Sequence, residues 1–344
     1  MNHSMHHPME RQRGMSLVEL MVGMTLGLLI LLGLTSLFVQ SKRSFKQDEL
    51  TARLQEDARF AMSELRHDIG MAGFWANALD GSIITEIGSV GAAAGAAAQL
   101  YTYTTPLTVA DNAAAADTLL GQSLDDLVAG TDAIATSKVE GFPAATAPTD
   151  GTGSTTDANV NAARATILAA AGGIPYLQTN GVVAVMTTAT DAPATAAATL
   201  VPAEFNYWRY DPEIYWIRDY AITAGDGIPT LVRKYLQAGA IVTESIALGV
   251  EDMQIEYGID TNTDGFADRY LSDPTAAQMQ QVTTCRIYLL MRSTEADENY
   301  SNVRTYTYSN SPLSPYTPGD KFYRRTFSTT VKVRNNAAHL MLNL

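Results

Sequence analysis

The sequence predicts an α+β protein in which one long N-terminal helix packs on an antiparallel β-sheet head, with a large Ala/Thr-rich insertion in that head. Three observations carry the prediction. An apolar run without a charge extends from Leu20 to Val39, and a proline-free amphipathic stretch continues it to Ile69. Alternating, aromatic, strand-like segments then fill the chain from Val201 onward.

At about 1.5 Å per helical residue, Met15 to Val39 reaches roughly 37 Å, enough to cross a bilayer core of ~30 Å with some tilt. Residues 15–39 are therefore expected to span a membrane. Glu19 stands at the start of this run, where an unpaired buried carboxylate costs several kcal/mol. A cut between Gly14 and Met15 would supply a partner, because the new α-amino group of a neighbouring copy could meet Glu19. The pair would be neutral, and the helices would stack in register. Residues 1–14 would then be a leader, and no function is assigned to its His3, His6 and His7. Basic residues flank the span on both sides, so the cleavage logic, not the charge count, puts the leader inside and the bulk outside. Gly23 and Gly27 read equally as a close-approach pair or as ordinary glycines of a membrane helix.

The stretch Arg13-Gly14-Met15-Ser16-Leu17-Val18-Glu19 resembles the type III signal of type IV prepilins: a basic leader ending in Gly, an apolar helix and a Glu at the fifth mature position. The resemblance implies that a prepilin peptidase cuts after Gly14 and methylates Met15, with Glu19 serving assembly.

Residues 40–69 continue the helix as its amphipathic half. Leu50, Leu54, Ala58, Ala61, Met62, Leu65 and Ile69 form one apolar stripe at helical spacing, and charged residues fill the other faces. Gly70-Met-Ala-Gly73 stops it. The segment Leu65 to Trp75 resembles the end of the long helix in PilW-type minor pilins. Those sequences often place a cysteine shortly after the turn; Ala76 and Asn77 stand here, so no family disulfide is carried over. Cys285 is the only cysteine and reads as a small buried hydrophobe. His67 reads as a surface or packed residue.

Residues 70–344 form the β-rich head. Within it, about 82–199 is rich in Ala, Thr, Gly and Asp, and we expect an expanded, poorly packed insertion with short strands such as Val182 to Met186. Such an insertion either carries partner contacts or has no role. The aromatic strands from Phe205 to Ile217 are read as core and cross-strand packing, Gly225-Asp-Gly227 as a turn, and Ala247–Tyr257 and Val282–Met291 as long central strands.

Between those two strands lies Asp260-Thr-Asn262-Thr-Asp264-Gly265-Phe266-Ala267-Asp268. Side-chain oxygens at every second position, followed by a glycine at the sharp turn, wrap a hard cation as in the first half of an EF-hand loop. Asp260, Asn262, Asp264, the Phe266 carbonyl and Asp268 are the expected ligands of a structural Ca2+. Leu271 replaces the bidentate Glu, and Asp273 is a candidate substitute. The loop resembles the D-x-D/N-x-D-G-x-x-D loops common in PilW-like heads, and the segment Arg324 to Asn335 resembles their closing strand. The basic residues of that strand are expected to pack against acidic neighbours.

A formal charge of −13 opposes non-specific nucleic-acid binding. Without a Ser/His/acid set, a phosphate-cradling loop or a complete zinc set, the chain is expected not to be an enzyme. The resemblance implies a minor pilin held in the inner membrane with its head in the periplasm, then moved by the assembly platform into a surface pilus. There it would join other minor pilins in a tip complex that primes assembly, above the major pilin and beneath a tip adhesin. A fibre for twitching motility, cell adhesion or DNA uptake fits equally. The alternatives are a minor pseudopilin of type II secretion and an uncleaved, membrane-tethered calcium-dependent binding protein.

Overall fold

The computed structural model describes residues 14–76, 78, 84–86, 105–114, 116–147, 175–179, 184–188, 205–237, 240–309 and 314–342. The leader histidines, the alanine tract after Gly91 and Asn77 lie outside the described residues.

Helix α1 runs from Leu17 to Met71, and the chain divides into two compact units, one ending at Ala52 and the other beginning at Arg53. In the first unit every residue from 14 to 49 is exposed, the charge-free apolar run included. The helix is long and apolar enough to cross a membrane.

In the second unit Leu54, Ala58, Ala61, Leu65 and Ile69 are buried at three- and four-residue spacing, as an amphipathic helix on a core requires. They join Tyr215, Ile217, Leu231, Met253, Ile255, Ile287 and Leu289 in the main core. The helix stops where the glycines were expected to stop it. Gly73 has φ +73° and donates its N–H to the Ser137 carbonyl at 2.8 Å. Asn335 Nδ2 donates to the carbonyls of Met71, the last helical residue, and of Ala72 just beyond it, at 3.3 and 3.2 Å.

Among the described residues the head holds three larger sheets. The first is antiparallel, in the order β14 (Arg269–Leu271), β13 (Val250–Ile259), β15 (Val282–Arg292), β16 (Arg324–Lys332). The two long strands expected at its centre are there, with Tyr257 opposite a fully buried Cys285, but the first begins only at Val250. Ala247 and Leu248, expected in it, end a strand of the second sheet, and the chain turns between the sheets at Gly249, φ +72°. The second runs β12 (Ala240–Leu248), β11 (Thr230–Gln237), β10 (Glu213–Arg218), β5 (Ala133–Thr136), β2 (Leu107–Ala110), also antiparallel. The third runs β1 (Ile84–Glu86), β8 (Ala184–Thr188), β7 (Pro175–Thr179), β9 (Phe205–Arg209), β6 (Ala145–Ala147), and its β1–β8 pair is parallel, a departure from the all-antiparallel expectation. A small hairpin pairs β3 (Thr118–Leu119) with β4 (Gln122–Ser123). Among the described residues the unit also holds two short helices, α2 (Ala276–Met279), whose N-terminus carries a Thr275–Gln278 capping box, and α3 (Arg334–Leu342).

The turn at Gly225-Asp226-Gly227 joins β10 to β11, its Asp226 carboxylate accepting N–H bonds from Ala221, Ile222, Thr223 and Ile228. Tyr207, Trp208, Tyr210, Tyr215 and Trp216 are buried, as packing residues should be.

One expectation needs correction. The stretch 82–199 is not uniformly a poorly packed insertion, because β5 lies inside a sheet between β10 and β2 and is buried at all four residues. Ile134 sits in the main core and Leu124 and Ala133 in a second cluster around Trp216. Small side chains misled the reading: alanine and threonine fill a strand between neighbours that already carry the bulk.

Candidate functional site

Gly14 and Met15 lead into α1 and are exposed. Glu19 lies in the first helical turn, where a carboxylate is favoured by the unsatisfied N–H groups, and it too is exposed. It forms no ion pair among the described residues.

Deeper in the molecule, a charge cluster fixes the second half of α1 to the head. Asp68 falls on the buried stripe, three residues after Leu65, and is 3% exposed. Lys138, just beyond β5, reaches its Oδ1 at 3.1 Å, Glu213 Oε2 at 2.7 Å and Asp211 Oδ2 at 3.5 Å. The Tyr215 hydroxyl donates a short hydrogen bond to Asp68 Oδ2. Arg233 continues the chain of charges, to Glu213 at 3.1 Å, Glu244 at 3.0 Å and Glu64 on α1 at 3.6 Å. Removing one partner from such a buried set costs about 3–5 kcal/mol, because the other charges are left without compensation.

Burial pushes the Glu213 carboxyl up to about 8; Lys138 opposes this, while its hydrogen bond to Asp68 and the charges of Asp68 and Asp211 add to it. Burial works the same way on Asp68, but the Lys138 charge and hydrogen bonds from Glu213, Tyr215 and Lys138 hold it below the ordinary value. Lys138 stays cationic: burial lowers it, and the carboxylates of Glu213, Asp68 and Asp211 more than compensate. One proton shared between Glu213 and Asp68 describes the pair. Elsewhere, burial pushes Asp132 up to about 7, although it accepts the Asn112 N–H at 2.9 Å and the Ile255 N–H at 2.7 Å.

None of this cluster was identified from the sequence. Its signals are visible in retrospect: Asp68 interrupts the apolar stripe, and Glu213 opens the apolar strand Glu213-Ile-Tyr-Trp-Ile.

The 260–268 loop is closed by its own hydrogen bonds. The Asp260 carboxylate, fully buried, accepts the N–H groups of Asn262 at 3.1 Å, Thr263 at 2.6 Å and Gly265 at 2.7 Å. Asp268 accepts from the Thr261 N–H and hydroxyl at 2.8 and 2.6 Å, and Asp264 from the Phe266 N–H at 2.8 Å. Asp264 Oδ2 and Asp268 Oδ1 converge on Asn262 Nδ2, at 3.2 and 3.4 Å. The donors are oxygens, suited to a hard cation. Among the described residues, however, no three acidic side chains gather closely enough to hold a metal, and the Asn262 amide stands between the two carboxylates. Burial raises the Asp111 carboxyl above its ordinary value, the Asn112 hydrogen bond opposes this, and the nearby Asp273 charge adds to it. Gly265, at φ +81°, holds a left-handed backbone that strains any other residue, and the flexible end of Met341 of α3 lies against it.

Two family models match the chain. The prokaryotic N-terminal methylation motif covers residues 9–35, which hold Gly14, Met15 and Glu19. The Type IV Pilus-assembly protein W model covers residues 214–335, from β10 through β16. Over these two stretches the chain is similar to PilW-type, prepilin-like proteins. No curated protein matches it. Among solved structures, a type IV-like pilin from Thermus thermophilus aligns at 15% identity with a TM-score of 0.26, over 37% of this chain and 66% of its own length. A likeness that loose adds nothing to the assignment. The PilW match takes in both long central strands and the 260–268 loop, whereas Asp68 and Lys138 lie outside both matches. The methylation motif and the apolar helix fit a membrane-anchored pilin.

The titration of the cluster has a defined sign. Folded Glu213 keeps a proton that the unfolded chain releases above the ordinary Glu range, so stability is lost as pH rises from about 4.5 to about 8. Asp132 acts in the same direction up to about 7. Thermal denaturation should therefore show Tm rising by at least about 4 °C as pH falls from 8.5 to 5.5. Glu213→Gln, which mimics the protonated form, should flatten that slope by half or more. An unchanged slope in the variant would remove Glu213 as its source.

Proposed function

We propose that the chain is a minor pilin of a type IV pilus, cut by a prepilin peptidase between Gly14 and Met15 and then built into the complex that primes the fibre. The supporting observation is the charge-free exposed helix from Leu20 to Val39, headed by the single carboxylate Glu19 one turn from the cleavage junction. In lipid the helix is content except at Glu19. In a fibre the Met15 ammonium of one subunit neutralises the Glu19 of the next, and the apolar faces cover one another. The assembly platform, other minor pilins, the major pilin and a tip adhesin are the partners this reading requires. The head would stand in the periplasm before assembly and at the cell surface afterwards. The head's role is structural, not enzymatic. The PilW match over the sheets favours a pilus over a type II secretion pseudopilus.

Glu19→Ala tests this through immunoblots of sheared fibres and of membranes. The variant should still be cut at Gly14 and accumulate in membranes, and its amount in fibres should fall at least tenfold. Wild-type amounts in fibres would sink the assembly role of Glu19.

We further propose that the 260–268 loop takes Ca2+ through Asp260, Asn262, Asp264, Asp268 and the Phe266 carbonyl, replacing the Asn262 amide bonds that now link the two carboxylates. Bound calcium would pin the connection between β13 and β14 in a head without a disulfide. Millimolar calcium should raise the Tm of the wild-type protein, chelator should reverse it, and Asp264→Ala with Asp268→Ala should respond to neither. A wild-type Tm indifferent to both reagents leaves the loop as a self-bonded turn.

A further inference from the structure

On the face of α1 away from the acidic core cluster, Arg59, Ser63, Arg66 and Gly70 recur at helical spacing, with His67 beside them. They face the end of β16, where Thr330, Lys332 and, just beyond the strand, Arg334 form the opposite wall. Together they enclose a groove of about 470 Å3. Met62 and Val331 line its apolar part. The walls meet at Gly70, where even a Cβ would stand 3.6 Å from Val331 Cγ1.

Two properties of this groove coincide. Its titratable lining is Arg59, Arg66, His67, Lys332 and Arg334, all exposed, without one acid among the lining residues. In a chain of formal charge −13 that is a marked local reversal of sign. None of the five forms an ion pair among the described residues; Lys332 stands over the Phe266 ring at 5.3 Å. The second property is backbone: β16 is the edge of its sheet, paired only with β15 among the described residues. An open edge offers main-chain donors and acceptors to an extended peptide, and cations alongside select one with carboxylates.

We propose that this groove docks an extended, acidic segment of a protein partner, which adds to the β16 edge while its carboxylates meet Arg59, Arg66, Lys332 and Arg334. The groove spans about 17 Å along the helix from Arg59 to Gly70, the reach of about five extended residues. A short segment therefore suffices. Nucleic acid is the less suitable occupant, because a chain of formal charge −13 repels a long polyanion. This inference goes beyond the pilus reading and is independent of where the chain is cut.

The test uses the full chain in detergent and a fluorescent peptide of about ten residues alternating Glu and Thr, followed by anisotropy. Saturable binding is expected, weakening with salt. It should be at least tenfold weaker when Gln replaces Glu in the peptide, and at least tenfold weaker for Arg66→Glu with Lys332→Glu, whose Tm should match wild type. Should that variant melt lower, Arg59→Gln with Arg334→Gln takes its place, with the same expected loss. No binding, equal binding by the Gln peptide or by a charge variant that melts as wild type does, or tighter binding of an oligothymidylate of the same length would each overturn the proposal.

Discussion

The structure depends first on an imbalance in its long helix. From Leu20 to Val39 no side chain is charged and none is covered, so water is the one surrounding this segment cannot tolerate. At about 25 cal/mol per Å2 of apolar surface, a run of that length is driven strongly into lipid or against other helices. Glu19 decides between those two environments. Lipid accepts the leucines and rejects the carboxylate, whereas a neighbouring subunit with a free N-terminus accepts both. In the pilin proposed above, the same sequence would wait in a membrane and be drawn towards a fibre.

A helix pulled into a fibre carries its head along only if the two halves hold together. From Arg53 on, the helix is fixed by an apolar stripe and by the buried cluster of Asp68, Lys138, Glu213 and Tyr215. The stripe supplies burial, which is tolerant of sliding. The cluster supplies fixed distances and directions, because moving any one charge strands the others in a poorly solvated place. Its parts come from the helix, from the loop after β5 and from β10, so it ties together segments far apart in the chain.

How much of this could be read in advance follows the side chains involved. The helix, its glycine stop and the two long central strands were legible because large apolar residues repeat with the helical or strand period. The 260–268 loop was read from its alternating Asp and Asn as a calcium loop; the same side chains bond the backbone two residues on, a local turn chemistry that the spacing encodes equally well. Strand β5 was not legible: Ala133-Ile-Ala-Thr136 carries one bulky residue and sits in an Ala/Thr-rich region, and its burial comes from neighbours contributed by β10 and β2. The Asp68–Lys138 pairing was hidden for a related reason. It spans a sequence separation of 70, and no local pattern encodes a partner that distant.

The central claim is that this chain acts as a cut and assembled subunit, and one measurement addresses it most directly: the N-terminal mass spectrum of the protein recovered from sheared surface fibres and from membranes. The account predicts a peptide beginning at N-methylated Met15 in both fractions. Protein beginning at Met1, functional in cells and absent from fibres, would contradict it and leave a membrane-tethered head whose partners are met without a pilus.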